Sequence, residues 1–264
     1  ELLPPAADVK REPVDVDGVS AEWITVPNSS EAITVLYLHG GGFVIGSVNI
    51  YVDLVSRIAR ASGARALSVD YRLAPEHPFP AALDDATTAY RWLLKQGVAP
   101  ESIVIAGDSA GGALTASTLL ALKAAGDPLP GGAVLLSPGT DFTFSGETME
   151  TRKDRDPLLT RSLCEHWLGM YLGVTSPTVA SPLFGDYNGL PPILIQVGDA
   201  EILLDHSTRY AERAKAAGVD VTLEIWDDMI HVFQLFAPML PEGQQAIDKI
   251  GAWVKQHVHS KAAA

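Results

Sequence analysis

One cysteine, Cys164, is the only thiol in 264 residues, so no intramolecular disulfide can staple the fold. No apolar stretch reaches the roughly 18 residues that a helix needs to cross a bilayer. The first twenty residues lack the basic-then-apolar order of a signal peptide, and the expectation is a cytoplasmic protein with no membrane partner. Basic residues are scarce. Nineteen Lys and Arg stand against 32 Asp and Glu, a net charge of −13 that repels phosphate backbones and argues against nucleic acid as a partner. Internal repeats and low-complexity linkers are missing as well.

What is present is a large supply of apolar side chains, 47% of the chain, with 23 Gly and 18 Pro to turn it. Such a balance describes a globular protein, and one domain spanning residues 1–264 is the expectation at this length. Short β-branched runs alternate with longer amphipathic segments, the pattern of an α/β fold with a mostly parallel sheet covered by helices. Eight strands are predicted: Val14–Val16, Ala21–Val26, Ile33–Leu38, Arg65–Val69, Ile103–Ala106, Ala133–Leu136, Ile193–Val197 and Val221–Ile225. The runs at 34–38 and 193–197 are almost wholly apolar, as strands buried on both faces should be, whereas the first two alternate and fit an antiparallel edge. Helices are predicted over Asn49–Ala61, Ala81–Lys95, Ser109–Ala125, Thr160–Leu172, Leu203–Ala217 and Glu242–His257, several closed by Gly63, Gly97, Gly126 or Gly218. Residues 140–192 form a polar, turn-rich excursion with one helix inside it, read as a cap or lid. Cys164 falls in that helix as a half-buried thiol with no ligand cluster around it.

Strand Ile103–Ala106 runs into Gly107-Asp108-Ser109-Ala110-Gly111-Gly112 and then into a helix. A serine hydroxyl needs a neighbouring base to become nucleophilic and must stand clear of the backbone, and a strand-turn-helix elbow supplies the second condition. Gly-x-Ser-x-Gly alone arises by chance in roughly one chain in ten of this length, so its placement between strand and helix carries the argument rather than the pattern. A second motif, His39-Gly40-Gly41-Gly42-Phe43, follows the apolar strand Ile33–Leu38. Successive glycines leave backbone N–H groups unobstructed, as an oxyanion growing on a carbonyl requires. The assigned donors are Gly41, Gly42 and Ala110. His39 is read as bracing that loop.

Position along the chain removes most candidates for the base. His39 and His77 precede Ser109, His166 and His206 lie inside helices, and His257 and His259 lie at the C-terminus. His231, after the last strand, remains, and the order serine, acid, histidine suits it. The acid is expected from the loop after Ile193–Val197, where Asp199, Glu201 and Asp205 all qualify by position. Asp108 and Tyr71 also lie near the site, each with a plain alternative: a carboxylate fixing the elbow and a buried tyrosine anchoring a turn.

Taken together, these residues resemble the bacterial hormone-sensitive lipase family of esterases, also called family IV, within the α/β-hydrolase superfamily. The likeness runs from about Val14 to Val254. It is carried by the glycine loop, the elbow, the stretch Tyr71-Arg72-Leu73-Ala74-Pro75-Glu76-His77-Pro78-Phe79-Pro80, and the loop around Glu201. The family's acid motif sets a carboxylate four residues ahead of a second one, which selects Glu201 of the pair Glu201 and Asp205, although Asp is commoner there. The resemblance implies a serine carboxylesterase acting on short-chain acyl esters, with no metal or organic cofactor and frequent homodimers. It also implies an N-terminal cap larger than the 38 residues before His39 allow, so the expectation is either a reduced cap or one that this sequence does not include. Phe43, Leu183 and Val232 are then expected as apolar substrate contacts, with Asp108 beside them. The same machinery would serve an amidase or arylacetamide-type deacetylase, and a catalytically inactive ligand-binding protein is the reading from a different class.

Overall fold

The computed structural model of the chain describes residues 4–258; His259 lies outside them. Eight strands form one sheet: β1 (Lys10–Val16), β2 (Val19–Thr25), β3 (Ser30–Leu38), β4 (Ala64–Val69), β5 (Ile103–Asp108), β6 (Gly132–Leu136), β7 (Ile193–Gly198) and β8 (Val221–Trp226). Their order across the sheet is β1-β2-β4-β3-β5-β6-β7-β8. From β4 to β8 all pairings are parallel, while β1 and β2 run antiparallel at one edge. The strand count, the antiparallel edge and the buried central strands agree with the sequence reading. β1 starts earlier than its apolar residues indicate, because Arg11 reaches across to the Glu22 carboxylate on β2 at 2.7 and 2.9 Å. A cross-strand ion pair of this kind favours pairing on a half-exposed edge.

Alternation along the strands divides the core in two. Leu36, Leu38, Leu67, Ile105, Leu135 and Ile195 face one side, under α2 (Ala81–Lys95), α3 (Ala110–Ala125) and α7 (Leu204–Ala216). Val35, Tyr37, Ala66, Val104, Ala106, Val134 and Leu194 face the other, under α1 (Val48–Ser62) and α8 (Pro241–His257). A strand buried on both faces has no polar positions to spare, and β5, β6 and β7 are buried at every residue. Helix α3 is small-residue rich and buried along most of its length; its two buried threonines bond to the helix itself, Thr115 donating to the Gly111 carbonyl and Thr118 to that of Leu114. Gly63 and Gly126 end α1 and α3 in the left-handed conformation.

Between β6 and β7 the chain makes its longest excursion from the sheet. The sequence predicts one helix there, and the structure has three: α4 (Thr148–Thr151), α5 (Arg161–Leu172) and α6 (Pro177–Ala180). The two extra helices are single turns of four residues, too short for a hydrophobic period to register. The predicted one, α5, is capped by Thr160, whose side chain accepts the Leu163 N–H at 3.3 Å. Among the described residues no helix is long and apolar enough to cross a membrane.

Candidate active site

β5 ends at Asp108 and α3 begins at Ala110, so one residue makes the whole reversal. That residue, Ser109, sits at φ 53°, ψ −117°, a region L-residues rarely occupy, at a cost of about 1–3 kcal/mol that the surrounding structure must hold in place. Three backbone hydrogen bonds hold it: its N–H donates to Leu136 O (2.8 Å), and its carbonyl accepts from Ala113 (3.0 Å) and Gly139 (3.2 Å). The close approach also explains Gly111, since a β-carbon there would collide with the backbone carbonyls of Leu38 and His39 at the end of β3.

The other two members arrive on neighbouring strand ends. His231, in the loop after β8, places Nε2 2.8 Å from Ser109 Oγ and Nδ1 2.7 Å from Glu201 Oε2. Glu201, after β7, is wholly buried. Its Oε1 accepts from the Ser137 hydroxyl (2.7 Å) and the Gly198 N–H (2.8 Å). Ser137, at the end of β6, also accepts the N–H of Val232 at 3.1 Å, tying the acid to the residue after the base. Burial alone would push the His231 pKa down; the charge and hydrogen bond of Glu201, helped by Asp156 and Asp108, outweigh it and hold the imidazole above its ordinary 6.5. Of the other carboxylates in the acid loop, Asp205 accepts the Thr148 N–H at 2.9 Å, and Asp199 accepts the Asp228 N–H at 2.8 Å. His206 is buried in α7, accepts the Asp141 N–H on Nδ1, and is pushed down to about 4 by burial.

The glycine loop is braced from beneath. His39 is fully buried, stacks on Tyr71 with centroids 4.3 Å apart, and its Nδ1 lies 2.7 Å from Gly40 O. Tyr71 donates its hydroxyl to the His39 carbonyl at 2.6 Å. Asp108 accepts from Tyr37 Oη (2.7 Å) and from Gly40 N–H (3.0 Å), so the residue preceding the nucleophile is bonded to the glycine loop. Burial raises the Asp108 carboxyl to about 6 despite those donors. Gly41 and Gly42 have φ of 114° and 62°, and a β-carbon on Gly42 would enter the Trp167 ring.

Ser109, Ala110 and Gly42 open onto a mainly apolar pocket of about 70 Å³, walled by Phe43, Phe142, Phe144, Trp167 and Leu168 among others. Three expectations are corrected here. Leu183 is fully buried in the core, Val232 is buried and held by Ser137, and Asp108 is turned toward Tyr37 and the glycine loop, so none of the three lines the pocket. Phe43 does line it, stacked on Tyr171 with centroids 3.7 Å apart. The sequence reading missed Trp167, Phe142 and Phe144. Trp167 lies on the predicted helix of the excursion, but nothing in a helical period tells which apolar residue faces a cavity rather than the core. Among the described residues, no three His, Cys, Asp or Glu side chains are grouped as a metal site would need.

A family model described as "alpha/beta hydrolase fold" matches residues 35–235. An acetyl-hydrolase of Streptomyces hygroscopicus is 44% identical over 92% of this chain and 81% of its own length. The carboxylesterase NlhH of Mycobacterium tuberculosis is 34% identical over 98% and 86%. Among solved structures, an esterase from the bacterial hormone-sensitive lipase family superposes with a TM-score of 0.96 at 48% identity, covering 97% of this chain and 87% of that one. With a hydrogen-bonded serine, histidine and glutamate at the strand ends of such a sheet, the chain belongs to the α/β-hydrolase fold family and, within it, to the bacterial hormone-sensitive lipase family of esterases.

Proposed function

We propose that this chain is a serine carboxylesterase that hydrolyses short-chain acyl esters through an acyl-enzyme on Ser109. The observation that carries this reading is the unbroken line of hydrogen bonds from Ser109 Oγ through His231 to Glu201, opening on an apolar pocket. His231 Nε2 takes the serine proton as Oγ attacks the ester carbonyl, and the Glu201 carboxylate accepts a hydrogen bond from Nδ1–H, fixing the tautomer and stabilising the imidazolium. The N–H groups of Gly41, Gly42 and Ala110 receive the oxyanion. The protonated His231 then hands its proton to the leaving alkoxide. Water, deprotonated by the same imidazole, attacks the acyl-enzyme, and Ser109 is released. A pocket of about 70 Å³ is under half the roughly 150 Å³ that an engineered cavity needs to hold benzene, which favours short acyl groups. The acetyl-hydrolase relative is consistent with that choice.

The decisive experiment is covalent labelling with an organophosphate. Mass spectrometry is expected to find the adduct on Ser109, with loss of p-nitrophenyl acetate hydrolysis in proportion to label. A ligand-binding protein without catalysis would stay unmodified, and an adduct elsewhere would refute the assignment.

The pH dependence follows from His231. Only the neutral imidazole accepts the serine proton, and its pKa is raised, so kcat/KM should fall as pH drops through a value above 6.5. The stability consequence has the opposite sign. A histidine whose folded pKa is raised stabilises the fold where it is protonated, below its unfolded pKa, and that contribution is lost as pH rises through the folded pKa. Asp108, raised to about 6, favours the protonated folded form in the same way. Activity should therefore decline as pH falls through that point above 6.5, while Tm does not fall with it. Paired rate and thermal-melting series test this, and full activity at pH 4 would contradict it.

A further inference from the structure

The excursion after β6 does more than wall the pocket, because two adjacent residues in it grip both loops that carry the acid and the base. Asp156 is buried, and among the described residues no Lys, Arg or His side chain forms an ion pair with it. Its Oδ1 accepts the N–H groups of Leu158 and Leu159, each at 2.9 Å, and its Oδ2 accepts the N–H of Ile202, the residue directly after Glu201, at 2.9 Å. Arg155 points the other way. Its guanidinium reaches both oxygens of Asp199 at 3.3 Å and Asp228 Oδ1 at 2.9 Å, bridging the acid loop to the base loop three residues before His231. Those two loops are also joined directly, by Asp228 N–H to Asp199 Oδ1 (2.8 Å) and Ala200 N–H to Met229 O (3.1 Å).

We propose that Arg155 and Asp156 form a clasp of positioning residues that hold Glu201 and His231 at hydrogen-bonding distance, so that the excursion sets the geometry of the catalytic line. The proposal rests on the carboxylesterase reading above. Glu201 is fixed at its carboxylate by Ser137 and Gly198, and Asp156 holds the backbone beside it through the Ile202 N–H. Removing one hold leaves the acid free to drift, and a displacement near 1 Å in such a constellation costs up to about 100-fold in rate. The groups bearing on His231 are Glu201 from the loop after β7, Asp108 from the end of β5, Asp156 from the excursion and neutral His206 from α7. Asp156 therefore also contributes charge that keeps the imidazole basic.

Asp156→Asn tests this with little change of shape. The amide can serve Leu158 and Leu159 with its oxygen, but it then turns its NH2 against the N–H of Ile202, two donors face to face. Rates of p-nitrophenyl acetate hydrolysis are normalised to active sites titrated with organophosphate. The expected result is a kcat lowered about tenfold with KM little changed, and an acid limb displaced to lower pH because a carboxylate near His231 is gone. A per-site kcat and acid limb identical to wild type would overturn the clasp, even if Tm fell. Should Asp156→Asn not fold, Arg155→Met decides: its side chain is partly exposed, and kcat should drop about threefold at low salt and less at high salt. An unaltered rate there overturns the proposal. Absence of labelling and turnover in the wild type would instead refute the carboxylesterase reading itself.

Discussion

Ser109→Ala is expected to lower kcat for p-nitrophenyl acetate by about 10⁶-fold while leaving the protein folded and able to bind substrate. The size of the effect follows from what the hydroxyl does. It is the atom that forms the acyl bond, and no other nucleophile replaces it: Cys164, which lines the same pocket, has a thiol pushed up to about 12 by burial and is protonated at any pH the enzyme would meet. Alanine also relieves nothing of the backbone strain, since Ser109 holds its positive φ through N–H and carbonyl bonds to Leu136, Ala113 and Gly139 that the substitution retains. Tm should therefore stay near the wild-type value. Activity should not vanish to the level of buffer, because the glycine loop and Ala110 still stabilise an oxyanion formed by water, which leaves roughly 10³–10⁴-fold over the uncatalysed rate. Turnover within a few-fold of wild type in a preparation free of revertant would refute Ser109 as nucleophile.

The sheet was legible because parallel strands buried on both faces leave an unbroken apolar signature, as at 34–38 and 193–197, and because α/β order admits few alternatives. The elbow and the glycine loop were legible because steric demand restricts them to glycine: a β-carbon at Gly111 meets the end of β3, and one at Gly42 meets Trp167. Other features left no such trace. Ser137 stands before a proline with no motif around it, yet it donates to Glu201 and accepts from Val232. Arg155 and Asp156 sit in a polar stretch that reads as surface loop, and the acid-loop groups they hold, Asp199 and Ile202, are more than 40 residues away in sequence. Leu183 and Val232 misled for the opposite reason. An apolar residue near the site in sequence is as well suited to the core beneath it as to the pocket wall, and only the fold decides which. The choice among three acidic residues in one loop was of the same kind. Spacing alone admitted Asp199, Glu201 and Asp205, and the bonds of Asp205 to Thr148 and of Asp199 to Arg155 and Asp228 appear only in three dimensions.

That choice leads to the second large effect, in Glu201→Gln, where kcat/KM at pH 7.5 is expected to fall about 10⁴-fold. The geometry says why an isosteric, neutral replacement is so damaging. Oε1 of Glu201 faces the Gly198 N–H, a donor that cannot reverse its role, together with the Ser137 hydroxyl. The glutamine amide must therefore set its oxygen at that end and its NH2 at the other, where His231 Nδ1 now lies 2.7 Å away. Facing a donor, Nδ1 becomes the acceptor, and the ring proton moves to Nε2, the nitrogen 2.8 Å from Ser109 Oγ. The base then carries a proton on the atom that should receive one. Loss of the carboxylate also removes the main charge holding the His231 pKa up, so the residual activity should show its acid limb at lower pH than wild type. Glu201→Asp keeps the charge and the acceptor at a shorter reach and should lose far less. Asp205→Asn provides the contrast: the amide oxygen can still accept the Thr148 N–H, and the rate per titrated active site should stay near wild type. Equal losses in Glu201→Gln and Asp205→Asn, measured per active site, would remove Glu201 from the catalytic line.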